Sequence, residues 1–190
     1  MAGRRTGDHM SIENICREVS RLIHRYDERD PWKLAEAMGI IVDELPMGKT
    51  PNSCKGFFLY QSRKKHITIN SDLPENIRRI ILAHEMGHAV LHHEAARMGA
   101  FHDFALYDSS SQMEYEANLF AAEYLLEDEI VRERLSEDTF FFSVAKELSV
   151  PPELLDFKFR ILKQKGWLVE SPIQANSNFL RQPVGTGDGM

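Results

Sequence analysis

The residues of this chain best suited to chemistry are His84, Glu85 and His88, in the run His84-Glu85-Met86-Gly87-His88. Successive residues of a helix advance by about 100°, so positions i and i+4 stand nearly above one another. On a helix, His84 and His88 would aim two imidazoles at one ion. Glu85, roughly 100° around from His84, would face a water beside that ion. Such a set points to a zinc-dependent hydrolase, with a carboxylate as proton acceptor, and peptide-bond cleavage is the first reaction it suggests. The competing reading is two core histidines and a surface glutamate, but two imidazoles buried together need partners.

The flanking sequence supplies the helix. Asp72 or Leu73 stands near the cap, Pro74 suits the first turn, and the apolar stretch continues from Ile77 to Leu91. Ile77, Ile80, Ile81, His84 and His88 share one face. A catalytic zinc usually takes three protein ligands, so a third is needed. The extended pattern H-E-x-x-H-x-x-G-x-x-H requires glycine and histidine where this chain has Leu91 and Glu94. His92 follows the motif by one turn and reads as a supporting group or the polar end of the helix. A second helix, Gln112 to Glu127, offers better candidates on and around an apolar face of Met113, Ala117, Phe120, Ala121, Tyr124 and Leu125. Glu116 lies beside that face and is the favoured ligand. Glu114 is the alternative, near the helix start where acids suit the dipole. Glu123 reads as solvated. Asn118 is either an ordinary surface residue or a group that orients a ligand. His102, Tyr107 and Tyr115 are candidate donors to an oxyanion.

The rest of the chain supports these two helices. Helices are expected over Ser11 to Arg29, Pro31 to Met38, Glu137 to Leu148 and Pro152 to Lys165. Strands are expected at Ile40 to Leu45, Gly56 to Tyr60 and His66 to Asn70, the last two joined by a basic turn at Arg63-Lys64-Lys65. Helices with about three strands beside the H-E-x-x-H helix give an α+β fold. Ala95 to Ser111 is expected to be a long loop. Residues 1–10 read as a leader or cloning scar, 11–168 as one domain, and 169–190 as a flexible tail. Phe140-Phe141-Phe142 reads as core, Trp32 and Trp167 as packing anchors, and Cys54 as an ordinary free cysteine.

Composition narrows the function classes. With 190 residues, 43% of them hydrophobic and 27% charged, the chain suits a single globular domain. A net charge of -6 argues against direct nucleic-acid binding. No run approaches the ~20 apolar residues of a membrane span, and no apolar signal-peptide core is present. Two cysteines only, Cys16 and Cys54, fit a reduced, cytoplasmic protein.

Two segments, Leu82-Ala-His-Glu-Met-Gly-His-Ala-Val-Leu-His92 and Glu114-Tyr-Glu-Ala-Asn-Leu-Phe-Ala-Ala-Glu-Tyr-Leu-Leu126, resemble the ImmA/IrrE family of H-E-x-x-H metallopeptidases. Asp30 to Ile40, Lys55 to Tyr60 and Ile67 to Ser71 resemble it too. The family often continues L-L-M-P after the second motif, where this chain has Leu125-Leu126-Glu127-Asp128. The resemblance implies a mainly helical zincin-like domain with a small sheet. It also implies Zn2+ held by His84, His88 and Glu116, with Glu85 as catalytic acid/base. It further implies a cytoplasmic protease that cleaves a regulatory protein, typically a helix-turn-helix repressor of a mobile element or stress response. The alternative is a non-proteolytic regulatory binding protein that retains the fold and the metal site.

Overall fold

The computed structural model describes residues 10–50, 52–93, 109–135 and 140–181. Residues 1–9 of the expected 1–10 leader and most of the expected 95–111 loop lie outside them, including His102 and Tyr107. Helix α1 (Ile12–Tyr26) starts where the Ser11 hydroxyl accepts the Asn14 amide, and it buries Ile15, Val19 and Leu22. Helix α2 (Pro31–Ala37) begins at Asp30, whose carboxylate accepts the Lys33 amide, with proline at the first position.

Three strands follow: β1 (Ile40–Leu45), β2 (Gly56–Gln61) and β3 (Lys64–Asn70). Their order is β1-β3-β2. β1 runs parallel to β3, with Val42 opposite Ile67, and β2 runs antiparallel to it, with Phe58 opposite Ile67. The β2–β3 hairpin turns through Ser62 and Arg63, both at positive φ, as the twist of a tight hairpin demands. β2 is therefore an edge strand.

Helix α3 (Glu75–Leu91) lies against β2 and β3 on one side and against helix α4 (Ser109–Leu125) on another. α4 also packs on α1 and on the last long helix, so it is the central element of the helical layer. Six consecutive residues, Ala117 to Ala122, are buried. Helices α5 (Asp128–Arg134), α6 (Phe141–Glu147) and α7 (Pro152–Gln164) complete the layer. The architecture is the expected α+β, mainly helical zincin-like arrangement. No helix among the described residues is long and apolar enough to cross a membrane.

Three expectations change. Glu123, read as solvated, is buried against Lys158 and Lys165, which reach it from α7 and its C-terminal end. Of the three consecutive phenylalanines, Phe141 is buried edge-on against Phe159, whereas Phe140 and Phe142 are exposed. The expected flexible tail packs on the domain as far as residue 181. The Ala175 amide donates to Asp156, its carbonyl accepts from Arg160, Phe179 stacks on Phe157, and Leu180 is buried.

Candidate metal centre

The centre is built where α3 crosses α4. Ten consecutive residues of α3, Ile80 to Ala89, are buried, including His84, Glu85 and His88. The helix can run this close to α4 because residue 87 is glycine. A Cβ there would stand 3.1 Å from Ala117 Cα and 3.2 Å from Phe120 Cβ. Glu114 is one turn before Ala117, so the close crossing brings its carboxylate to the two histidines. His84 Nε2 and His88 Nε2 are 3.2 Å apart. Glu114 Oε2 lies 3.3 Å from His84 Nε2, and Oε1 lies 3.5 Å from His88 Nε2. Their donor atoms all fall within 4.8 Å of one another, and these three residues are the metal-competent group among the described residues.

The favoured sequence candidate, Glu116, is elsewhere. Two residues along α4 is about 200° around the helix. Glu116 meets His92, with Oε2 3.1 Å from His92 Nε2, and accepts the Met10 amide at 2.9 Å and Gln112 Nε2 at 3.1 Å. The structure thus brings Glu114, the alternative, up to His84 and His88. The apolar pattern on α4 gave no bearing, because that helix is buried on nearly every side. Asn118, 0% exposed, is no surface residue. Its Nδ2 donates to the Ser177 carbonyl at 2.6 Å, and its side chain acts on His84 from behind the site. His84 Nδ1 and Asn118 Oδ1 are both buried with no closer partner among the described residues.

Burial and charge act differently on the three groups. Burial pushes His88 down to about 4, against the partly opposing pull of the Glu114 carboxylate, so its ring is neutral at ordinary pH. Burial also lowers His84, but the Glu114 hydrogen bond, the Glu85 and Glu114 charges and Asn118 together raise it above the usual histidine value. Burial would raise Glu114, yet the imidazoles of His84 and His88 at 3.3 and 3.5 Å hold it far below the usual carboxylate range. A neutral imidazole beside an ionised carboxylate is the protonation state that metal ligation needs.

A cavity of about 420 Å³ opens onto the trio and onto Glu85, with Phe57, Phe58, Ile81 and Leu180 among its apolar walls. Gly56 brings β2 across α3 at this point. A Cβ on Gly56 would stand 2.5 Å from Ile81 Cγ2, 3.1 Å from the Thr68 carbonyl and 3.7 Å from Glu85 Cγ. Lys55 to Phe58, at the end of the β1-β3-β2 order among the described residues, line the cavity, as does the exposed Cys54. Tyr115 is not among the lining residues; it packs against Phe157 and Arg160.

Sequence reasoning missed Gly56, Gly87 and Leu180. A glycine inside a helical or strand pattern marks close backbone approach, so the two glycines carried a usable signal. Leu180 carried none, because its contact is made far from the motif.

Two imidazoles and a carboxylate from two crossing helices, with a further glutamate at the cavity, define a site of the metallopeptidase type. A family model described as "IrrE N-terminal-like domain", a peptidase family, matches residues 35–160. A protein of Bacillus phage phi105 named "Uncharacterized immunity region protein 2" is 35% identical over 155 residues, which is 78% of this chain and 95% of that protein. The chain belongs to the ImmA/IrrE family of metallopeptidases.

Proposed function

We propose that this protein is a zinc-dependent endopeptidase that cleaves a regulatory protein, with a helix-turn-helix repressor as the substrate class. The observation that carries the reading is the convergence of His84, His88 and Glu114 beside a cavity that also holds Glu85. The donor set fits zinc, which favours imidazole nitrogen and carboxylate oxygen and leaves a position open in catalytic sites. A zinc ion bound there would polarise the scissile carbonyl and bring the pKa of water toward ~7.

Glu85 follows His84 on α3 and lines the cavity, so it can take a proton from the attacking water and return it to the leaving amine. His84, His88 and Glu114 would hold the ion, with Asn118 acting on His84. The open edge of β2 can pair with an extended substrate through main-chain hydrogen bonds, as an added strand does. Phe57, Phe58, Ile81 and Leu180 favour an apolar substrate side chain in the cavity. The repressor as substrate is supported by the relative's name, which places that phage protein in an immunity region. A cytoplasmic setting is supported by the free cysteines Cys16 and Cys54.

The test is incubation of the zinc-loaded protein with a candidate helix-turn-helix repressor. Cleavage is expected for the parent, is expected to stop with chelator, and is expected to fall about 10²–10⁴-fold in Glu85→Gln with zinc retained. Full activity in Glu85→Gln would overturn the mechanism. A zinc-loaded parent that binds the repressor without cutting it would support a non-proteolytic regulator instead.

A further inference from the structure

Behind the site, on the side of His88 that faces away from Glu114, the structure holds a second set of buried polar groups. His88 Nδ1 is 3.1 Å from His92 Nδ1, and His92 Nε2 is 3.1 Å from Glu116 Oε2. His92 and Glu116 are 7% and 5% exposed. His92 closes α3, its amide donating to the His88 carbonyl, and its ring lies 5.2 Å from that of His88, tilted by 51°.

The proton positions in this chain follow from one end. Glu116 accepts from the Met10 amide and from Gln112, and an ionised carboxylate can only accept. His92 then donates from Nε2, and with a neutral ring it carries a lone pair on Nδ1. His88 must donate from Nδ1 to that lone pair. The lone pair of His88 then falls on Nε2, the nitrogen that faces His84 and lies 3.5 Å from the Glu114 carboxylate, where a metal ion would sit between the two acceptors. Reversing any one bond would set two protons or two lone pairs against each other.

We propose that His92 and Glu116 are positioning residues that fix the tautomer and ring orientation of His88 for metal binding. The proposal rests on the metallopeptidase reading and adds a role for the two residues that reading leaves unused. A purely structural pair would need no carboxylate held by three donors, whereas orienting a ligand does.

The test is zinc affinity, by competition with a chromophoric chelator, for the parent, His92→Phe, His92→Gln and Glu116→Gln. Thermal unfolding of each metal-free protein is measured alongside. His92→Phe keeps the bulk and removes the acceptor, so it is expected to weaken zinc about 10–100-fold. His92→Gln can offer an amide oxygen to His88 Nδ1 and is expected to recover part of that loss. Glu116→Gln keeps the shape but can present its NH2 to His92, and is expected to weaken zinc as well. Visible spectra of the cobalt-substituted proteins should change in the same order. Zinc affinity within twofold of the parent in both His92→Phe and Glu116→Gln would overturn the proposal. So would His92→Gln binding no better than His92→Phe. If His92→Phe does not fold, the isosteric Glu116→Gln decides alone. A parent that binds no zinc, or a Glu114→Ala variant that binds as the parent does, would overturn the metallopeptidase reading and this inference with it. Parent-like affinity in the relay variants, with zinc lost in Glu114→Ala, would overturn the relay only.

Discussion

Helix α4 carries buried carboxylates at both ends, and the two ends treat them differently. Toward its C-terminus, Glu123 is met by Lys158 at 2.5 Å and Lys165 at 2.7 Å, and Asp128 by the same two lysines at 2.6 and 2.7 Å. Two ammoniums and two carboxylates close on each other, and their charges cancel. Toward its N-terminus, Glu114 meets two imidazole nitrogens, at 3.3 and 3.5 Å, beside an open cavity. His88 there is neutral, and the donor atoms converge on one point instead of pairing off. Burial of an acid therefore does not by itself mark a functional site. What marks it is the kind of group that answers the charge, and whether the donors leave room for an ion.

Substitutions at the two ends should separate stability from metal binding. Lys158 is fully buried, so Lys158→Ala would leave Glu123 and Asp128 short of a cation. Its expected cost is about 3–5 kcal/mol in urea unfolding, at the level of breaking a buried ion pair. The zinc affinity of the folded protein should stay at the parent value. Glu114→Ala should do the reverse. Metal-free stability should fall less than in Lys158→Ala, while stabilisation by zinc, about 2.7 kcal/mol for the parent at 100 times Kd, should vanish. If Lys158→Ala released zinc, or Glu114→Ala unfolded the metal-free protein, the division between the two ends would fail.

The same contrast explains what the sequence made legible. The caps at Ser11 and Asp30, the hairpin turn and the i, i+4 histidine spacing are local, and each was readable from neighbouring residues. Helix α3 and the three strands followed from period and punctuation. Glu116 was favoured over Glu114 on the apolar pattern, which misled because α4 is buried nearly all round and its bearing is set by the Gly87–Ala117 crossing. Glu123 looked solvated because its lysines come from 35 and 42 residues away. The segment after α7 looked like a tail because Asp156, Phe157 and Arg160, which hold it, give no local sign of doing so.

Gly56 offers a smaller but sharper probe of the functional end. Gly56→Ala places a methyl against Ile81 and the Thr68 backbone, so β2 must shift away from α3. About 1–3 kcal/mol of destabilisation is expected, in the range of overpacking a core. Because the same strand lies over Glu85, kcat should fall while zinc content stays full. Unchanged kcat would mean that the contact with Glu85 is packing alone.

The smallest expected effect is in the pH dependence of the metal-free protein, where the two ends occupy different windows. His88 has its pKa depressed from 6.5 to about 4, so its contribution is complete above pH 6.5 and is lost as pH falls toward 4. His84 has a raised pKa, so its contribution is complete below 6.5 and is lost as pH rises through its folded value. The two act in adjacent windows with opposite slopes, so the metal-free site contributes most near pH 6.5. Asp128 is held below its usual 3.8 by Lys158 and Lys165 against the effect of burial, so its contribution is lost only as pH falls below that value. Unfolding midpoints followed from pH 8 to 3 should therefore lose the upper acid limb in His88→Gln and the lower limb in Asp128→Asn. If Asp128→Asn flattened the range between 6.5 and 4 instead, the ion-pair cluster and not the histidine pair would govern stability there.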